Sequence, residues 1–307
     1  MIGSLEILRM AKRMVTLALA LAGTWGAASA YGYELLRDQV YAQRSFGPLK
    51  GDLYLPATDR VVPAVVMIHG GGWRDGDTDD MERFAKRVVG AGFAVFNVTY
   101  RLAPDHKFPA QLQDVRDAVR WLRVRAGEHN IDSGRIGAWG YSAGAHLAML
   151  LGTVGENALP DADATAPSPR VTAVVAGAGP SDLRRYPDNH YVVDLMPDNA
   201  DDALFELASP VAAVSGDDAP MFLYHGRNDK IVGFHNSLHM YEALQSAGVP
   251  VRLHELRFGH ILSYLFGRDA VEAGIEFLHE QLQAGDASTS EQVIRPSNIA
   301  GISSGAH

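Results

Sequence analysis

Residues 135–144 read Arg135-Ile136-Gly137-Ala138-Trp139-Gly140-Tyr141-Ser142-Ala143-Gly144: a short apolar run, then a G-x-S-x-G pentapeptide, then the start of a helix-like stretch. A serine hydroxyl becomes a competent nucleophile when a tight strand-to-helix turn thrusts it out of the backbone, and such a turn needs small residues on either side. Gly140, Ala143 and Gly144 supply them. The same pentapeptide arises by chance in Gly- and Ala-rich chains, so its weight rests on what surrounds it.

Around it the chain alternates between strand-like and helix-like segments. Ala64 to Ile68 and Phe93 to Val98 are continuous apolar runs of the kind that a strand buried on both faces requires. Ile136 to Trp139, Val171 to Val175, Met221 to Tyr224 and Val251 to Leu256 supply four more strands. Met81 to Val89 carries apolar residues at helical spacing, and residues 110–126 place Leu112, Val115, Val119, Leu122 and Val124 on one expected stripe. Residues 39–56 read as an opening antiparallel pair with Gly47 and Pro48 at its turn. The succession predicts an α/β fold, a mostly parallel sheet with helices on both faces. Residues 153–170 and 180–219 interrupt it, and the longer segment is expected to form a small cap at the rim of the site.

With 47% hydrophobic and 21% charged residues in a chain of 307, one sizeable globular domain is expected over residues 31–284. A net charge of -9 without a basic tract argues against a nucleic-acid partner. Cysteine is absent, which removes thiol and disulfide chemistry, and the 12 histidines are read as scattered rather than grouped as a zinc site. Neither a metal nor a cofactor is expected. In residues 1–30, Arg9, Lys12 and Arg13 precede the apolar run Met14 to Gly23, and Ala28-Ser29-Ala30 has the small-x-small pattern of a signal-peptide cleavage site. The run is shorter than the roughly 20 residues that cross a bilayer, so the expectation is a periplasmic or secreted protein with no stable membrane insertion after cleavage. Residues 285–307, rich in Ser, Gly and Ala, are expected to be a disordered tail. Nothing in the sequence sets the oligomeric state.

Acyl transfer by a serine needs a base, a carboxylate to orient that base, and donors aimed at the developing oxyanion. His69-Gly70-Gly71-Gly72-Trp73 follows the strand Ala64 to Ile68 directly, and its glycines can bring bare N–H groups close to a carbonyl oxygen. The N–H groups of Gly71, Gly72 and Ala143 are the expected oxyanion donors. Asp229 leaves the carboxyl end of the strand Met221 to Tyr224 and is the expected orienting carboxylate, with Asp182 as a weaker rival. Asp217 and Asp218 precede that strand and lie at its wrong end. His260, in the loop after Val251 to Leu256, is the expected base. The order Ser142, Asp229, His260 is that of the α/β-hydrolase template. His69 and His146 are read as support, His69 fixing the glycine loop by a side-chain hydrogen bond, and His225 as a packing or hydrogen-bonding residue. Trp73 and Tyr141, beside these motifs, are expected to contact substrate, and Arg101 to brace a loop through charge-assisted hydrogen bonds.

These residues carry a resemblance. His69-Gly-Gly-Gly-Trp73, Tyr100-Arg-Leu-Ala-Pro104 with Phe108-Pro-Ala110, and Gly140-Tyr-Ser-Ala-Gly144 resemble the hormone-sensitive-lipase-like bacterial esterases. His225-Gly-Arg-Asn-Asp229 and Gly259-His260 are more similar to the bacterial feruloyl and acetyl xylan esterase-like group, and Tyr141 in place of an elbow Asp favours that group. The resemblance covers residues 36–284 and implies an α/β-hydrolase fold and a serine carboxylesterase acting on short-chain, acetyl or small aromatic esters through an acyl-enzyme. Two other readings use the same parts: an amide hydrolase of exported-peptidase or arylformamidase-like type, and a non-catalytic binding module of the same fold. Such modules generally lack a triad member, and here all three are present.

Overall fold

The computed structural model describes residues 32–156, 158–159 and 165–283. The leader-like residues 1–30, most of the stretch between 157 and 164, and the tail from 284 onward lie outside the described residues. Eight strands form one sheet in the order β1-β2-β4-β3-β5-β6-β7-β8. β1 (Tyr33–Arg44) and β2 (Gly47–Pro56) form the antiparallel hairpin that opens the domain, and β2 pairs antiparallel with β4 (Ala94–Val98). All remaining pairings are parallel: β4 with β3 (Val62–Ile68), β3 with β5 (Ile131–Tyr141), then β6 (Val174–Gly177), β7 (Met221–Gly226) and β8 (Val251–Leu256). The chain thus has the architecture its alternating pattern predicts.

The parallel strands read as unbroken apolar runs because both of their faces are covered. Val65, Met67, Val95, Trp139 and Val175 face one core, which α1 (Thr78–Gly90) and α8 (Arg268–Gln283) close with Met81, Phe84, Phe277 and Leu278. Val66, Ile68, Phe96, Ala138 and Val174 face the other, filled by α2 (Ala110–Arg125), α3 (Ala143–Thr153) and α6 (His235–Ser246). Asp77 starts α1 with a capping box, accepting from the Asp79 N–H while Asp80 accepts from its own.

Residues 180–219 contain two short helices, α4 (His190–Leu195) and α5 (Asp202–Leu207), and two 3-10 turns. Leu183, Val192, Leu195 and Ala208 are buried in the same core as α3, so this cap is packed into the domain.

Three local expectations are corrected. The first hairpin turns at residues 45–46, with Gly47 already the first residue of β2. The ladder of β6 begins at Val174, because only from there does the chain pair with β5 and β7 together. Val124 is 67% exposed. It follows the buried Leu122 by two residues, about 200° around a helix, and so cannot share its stripe.

Asp114 of α2 is wholly buried and ties three elements together. Its carboxylate accepts from Arg44 of β1 at 2.9 Å and from the Arg101 side chain and N–H at 2.8 and 2.9 Å. Arg101 also reaches the Ala110 carbonyl and Gln113, and so braces the loop before α2 as its motif predicts. Removing one partner of a buried ion pair costs more than the pair contributes, since the other charge is left stranded. Asp114→Ala is expected to lower unfolding stability by about 3 to 5 kcal/mol, read from urea denaturation. A loss under about 1 kcal/mol would refute that account.

Candidate active site

The parallel register sets the site. Ile68 lies opposite Gly140 and Gly177 opposite Tyr141, so the loop after β3 and the turn after β5 leave the sheet side by side. On the other flank the loops after β7 and β8 are joined: Arg227 donates to the Leu256 carbonyl at 2.7 Å and the Asn228 side chain to the Arg257 carbonyl at 2.7 Å. Four loops therefore meet at the carboxyl edge of one sheet, where this fold class places its ligands.

Ser142 occupies the turn with φ 55° and ψ -120°, a backbone conformation that residues with a Cβ rarely adopt. The surroundings enforce it. Its N–H donates to the Gly177 carbonyl at 2.7 Å and its carbonyl accepts from the His146 N–H at 3.1 Å, fixing both sides of the turn. A Cβ at Gly140 would stand 2.1 Å from the Gly144 carbonyl oxygen, and one at Gly144 2.1 Å from that of Ile68. These two positions admit only glycine.

The three residues expected to act together do meet. His260 Nε2 is 2.9 Å from Ser142 Oγ, and its Nδ1 is 2.6 Å from Asp229 Oδ2. His260 and Asp229 are buried, whereas Ser142 is partly exposed. Asp229 Oδ1 accepts from the N–H groups of Ile231 and Val232, both at 2.9 Å. Burial alone would raise its pKa, but hydrogen bonds from His225 and His260 outweigh burial and hold the carboxyl well below the usual range. Asp182 instead pairs with Arg184, and Asp218 bonds Ser215, whereas Asp229 is the carboxylate bonded to His260.

The glycine loop lies against the elbow: a Cβ at Gly70 would be 3.4 Å from Ser142 Cβ. Gly71 is exposed, and Gly71 and Gly72 both have positive φ. Among the described residues, the N–H groups of Gly71, Gly72 and Ala143 have no acceptor. His69 fixes this loop as expected. Its Nδ1–H donates to the Gly70 carbonyl at 2.8 Å, its ring stacks on Tyr100 at 4.2 Å, and burial lowers its pKa. Tyr100 donates in turn to the His69 carbonyl at 3.1 Å.

Trp73 and Tyr141, read as substrate contacts, occupy supporting positions instead. Both are 4% exposed. Trp73 packs edge-on against His146, with ring centres 5.1 Å apart. Tyr141 donates its hydroxyl to the His260 carbonyl at 2.6 Å, and so fastens the start of α7 (His260–Phe266) to β5; His260, expected in a loop, is the first residue of that helix. Tyr141 shares with Trp139 the face of β5 that packs towards α1 and α8, whereas Ser142 lies beyond the strand in the turn.

Two contacts escaped the sequence reading. His225 is buried within bonding distance of Asp229, with three residues between them along the chain. His235 and His239, read as scattered, stand one turn apart on α6. Arg185 bonds His239 at 2.8 Å and Tyr186 bonds His235, which ties the cap to α6.

The model of a family described as BD-FAE matches residues 51–244. The esterase LipI of Mycobacterium tuberculosis is 31% identical over 238 residues, which is 68% of this chain and 68% of that protein. A truncated carbohydrate esterase from gut microbiota superposes with a TM-score of 0.72 at 25% identity, covering 83% of this chain and 99% of that one. A thermophilic esterase, Est2 of Thermogutta terrifontis, solved with propionate bound, gives a TM-score of 0.70 at 26% identity, covering 81% of this chain and 94% of that one.

His146 makes the site sensitive to acid. Its Nε2–H donates to the Ala208 carbonyl of the cap at 2.7 Å, and burial depresses its pKa from 6.5 to about 4. The native ring is therefore neutral in a window where the unfolded chain is protonated. The stability it contributes is complete above pH 6.5 and is lost as pH falls towards about 4. Urea unfolding across that window should show a slope of up to about 1.4 kcal/mol per pH unit from this residue. His146→Gln, which keeps a donor, should remove it, and an unchanged slope would exclude His146 as its source.

Proposed function

Since the chain belongs to the BD-FAE family and is a serine carboxylesterase of α/β-hydrolase fold, we propose that Ser142 is its nucleophile, His260 its general base and Asp229 the carboxylate that orients the base. The carrying observation is the unbroken line from Ser142 Oγ through His260 to Asp229, 2.9 and 2.6 Å long, ending on a strained elbow. His260 Nε2 takes the hydroxyl proton as Ser142 Oγ attacks the ester carbonyl. The N–H groups of Gly71, Gly72 and Ala143, unpaired among the described residues, are the donors for the oxyanion that forms. Collapse of the tetrahedral adduct breaks the bond to the alcohol oxygen, which leaves with the proton held by His260. Water, deprotonated by the same imidazole, then attacks the acyl-serine and releases the acid, while Asp229 stabilises the imidazolium in both halves.

For substrate, the reading is a short-chain, acetyl or small aromatic ester. Tyr191 of the cap supports it: a Cβ at Gly72 would be 2.5 Å from the tyrosine ring, so the ring lies directly on the oxyanion loop. An ion pair of 2.8 Å between Arg74 and Asp194 clamps α4 to that loop. Propionate bound to Est2 of Thermogutta terrifontis supports the same size class. The leader-like pattern of residues 1–30 supports a periplasmic or secreted location; the amino terminus of protein recovered from that compartment should then be Tyr31, and retention of residue 1 would exclude cleavage.

Ser142→Ala should abolish hydrolysis of p-nitrophenyl acetate and butyrate in a protein that still folds, and turnover at the wild-type rate would remove Ser142 from the mechanism. Asp229→Asn should cost on the order of 10⁴ in kcat. Tyr191→Ala should shift the ratio of kcat/KM for octanoate over acetate esters upward by about tenfold. An unchanged ratio would place the acyl chain elsewhere.

A further inference from the structure

Two histidines meet the buried carboxylate. His260 Nδ1 and His225 Nε2 both address Asp229 Oδ2, at 2.6 and 3.2 Å. His225, the fifth residue of β7, is fully buried. Its Nε2 also lies 2.8 Å from the Val232 carbonyl, and its Nδ1 2.7 Å from Ser237 Oγ on α6. Both neighbours of Nε2 only accept, so Nε2 carries a proton. With the proton on Nε2, Nδ1 is left to accept from the Ser237 hydroxyl, which strengthens Nε2–H as a donor.

We propose that His225, its proton held on Nε2 by Asp229 and the Val232 carbonyl and its Nδ1 bonded by Ser237, is a positioning residue that fixes the Asp229 carboxylate and tempers how strongly it holds His260. This rests on the reading of Ser142, His260 and Asp229 as the reacting line. Oδ1 is filled by the Ile231 and Val232 N–H groups, and Oδ2 by the two histidines. Four donors leave the carboxylate no freedom to rotate. The bond from His225 also draws charge from the oxygen that faces His260. Without it Oδ2 is more basic, the imidazolium is stabilised, and the base gives up its proton to solvent only at higher pH.

The other titratable neighbours are distinct from this relay. Tyr141 packs against the His260 ring, with Tyr264 against Tyr141 beyond it. His235, with His239 and Arg185 beyond it, lies on the cap side. The Phe234 ring covers His225 edge-on.

The test uses the full chain, p-nitrophenyl acetate and the variants His225→Leu, His225→Gln and Ser237→Ala. His225→Leu should lower kcat about 10- to 100-fold with little change in KM. The acid limb of its kcat/KM profile should rise by about 0.5 to 1 pH unit. His225→Gln, whose amide offers two N–H donors near the place of Nε2, should recover most of both. Ser237→Ala should move the limb the same way by less. An acid limb that stays in place in His225→Leu and Ser237→Ala, or a Gln variant as impaired as Leu, overturns the proposal. If circular dichroism shows His225→Leu unfolded, the shift in Ser237→Ala and the near-wild-type limb of His225→Gln decide it. Fluorophosphonate labelling of wild type, and its loss in Ser142→Ala, keeps the underlying reading separate: if Ser142→Ala still labels and turns over, that reading fails first.

Discussion

Between the Ile68 carbonyl and the α-carbon of Gly144 there is no space for a methyl group, and the same is true between Gly140 and the Gly144 carbonyl. This backbone-on-backbone contact is the constraint on which the site depends. It lets α3 start flush against β3, with Ser142, midway between the two glycines, at a positive φ and its hydroxyl towards the loops after β7 and β8. The conformation costs on the order of 1 to 3 kcal/mol and persists because the hydrogen bonds to Gly177 and from His146 fix it on both sides. The strain belongs to the frame of the sheet, which holds the Ser142 hydroxyl towards the loops after β7 and β8.

Electrostatics builds on that frame. A buried carboxylate destabilises a fold unless each oxygen is satisfied, and Asp229 is satisfied by two main-chain N–H groups and two imidazoles. The main-chain donors come from the turn that carries the aspartate itself. The imidazoles arrive from β7 and from the loop after β8, which the bonds of Arg227 and Asn228 hold together. Orientation of His260 is thus a property of two strand ends in register, with Tyr141 adding a third attachment through the His260 carbonyl.

Much of this was legible because the fold writes its chemistry in strand order. Each expected residue stands just past the carboxyl end of an apolar run, and parallel pairing brings those ends together whatever lies between them. Side-chain direction was less legible. Tyr141 and Trp73 sit within the recognised motifs, yet strand alternation and the turn of the glycine loop send them inward, where proximity in sequence to the serine says nothing of contact with substrate. His225 was visible as a strand-end histidine, but its tie to Asp229 exists only because the turn after β7 doubles back. Val124 fell to a simpler cause, an apolar residue on the solvent side of a well-patterned helix.

The cap is held at several points. Ser181 bonds Asn236 twice, the Phe108 N–H donates to the Leu195 carbonyl, Ala208 accepts from His146, and Arg74 pairs with Asp194. Leu183, Leu195 and Ala208 lie in the main core. A roof anchored in this way has little configurational freedom left to surrender when an ester arrives. Ordering entropy, which erodes affinity in enzymes with swinging lids, is therefore a small term here. Before this segment could move aside, its bonds to α6, to the loop before α2 and to the glycine loop would each have to break.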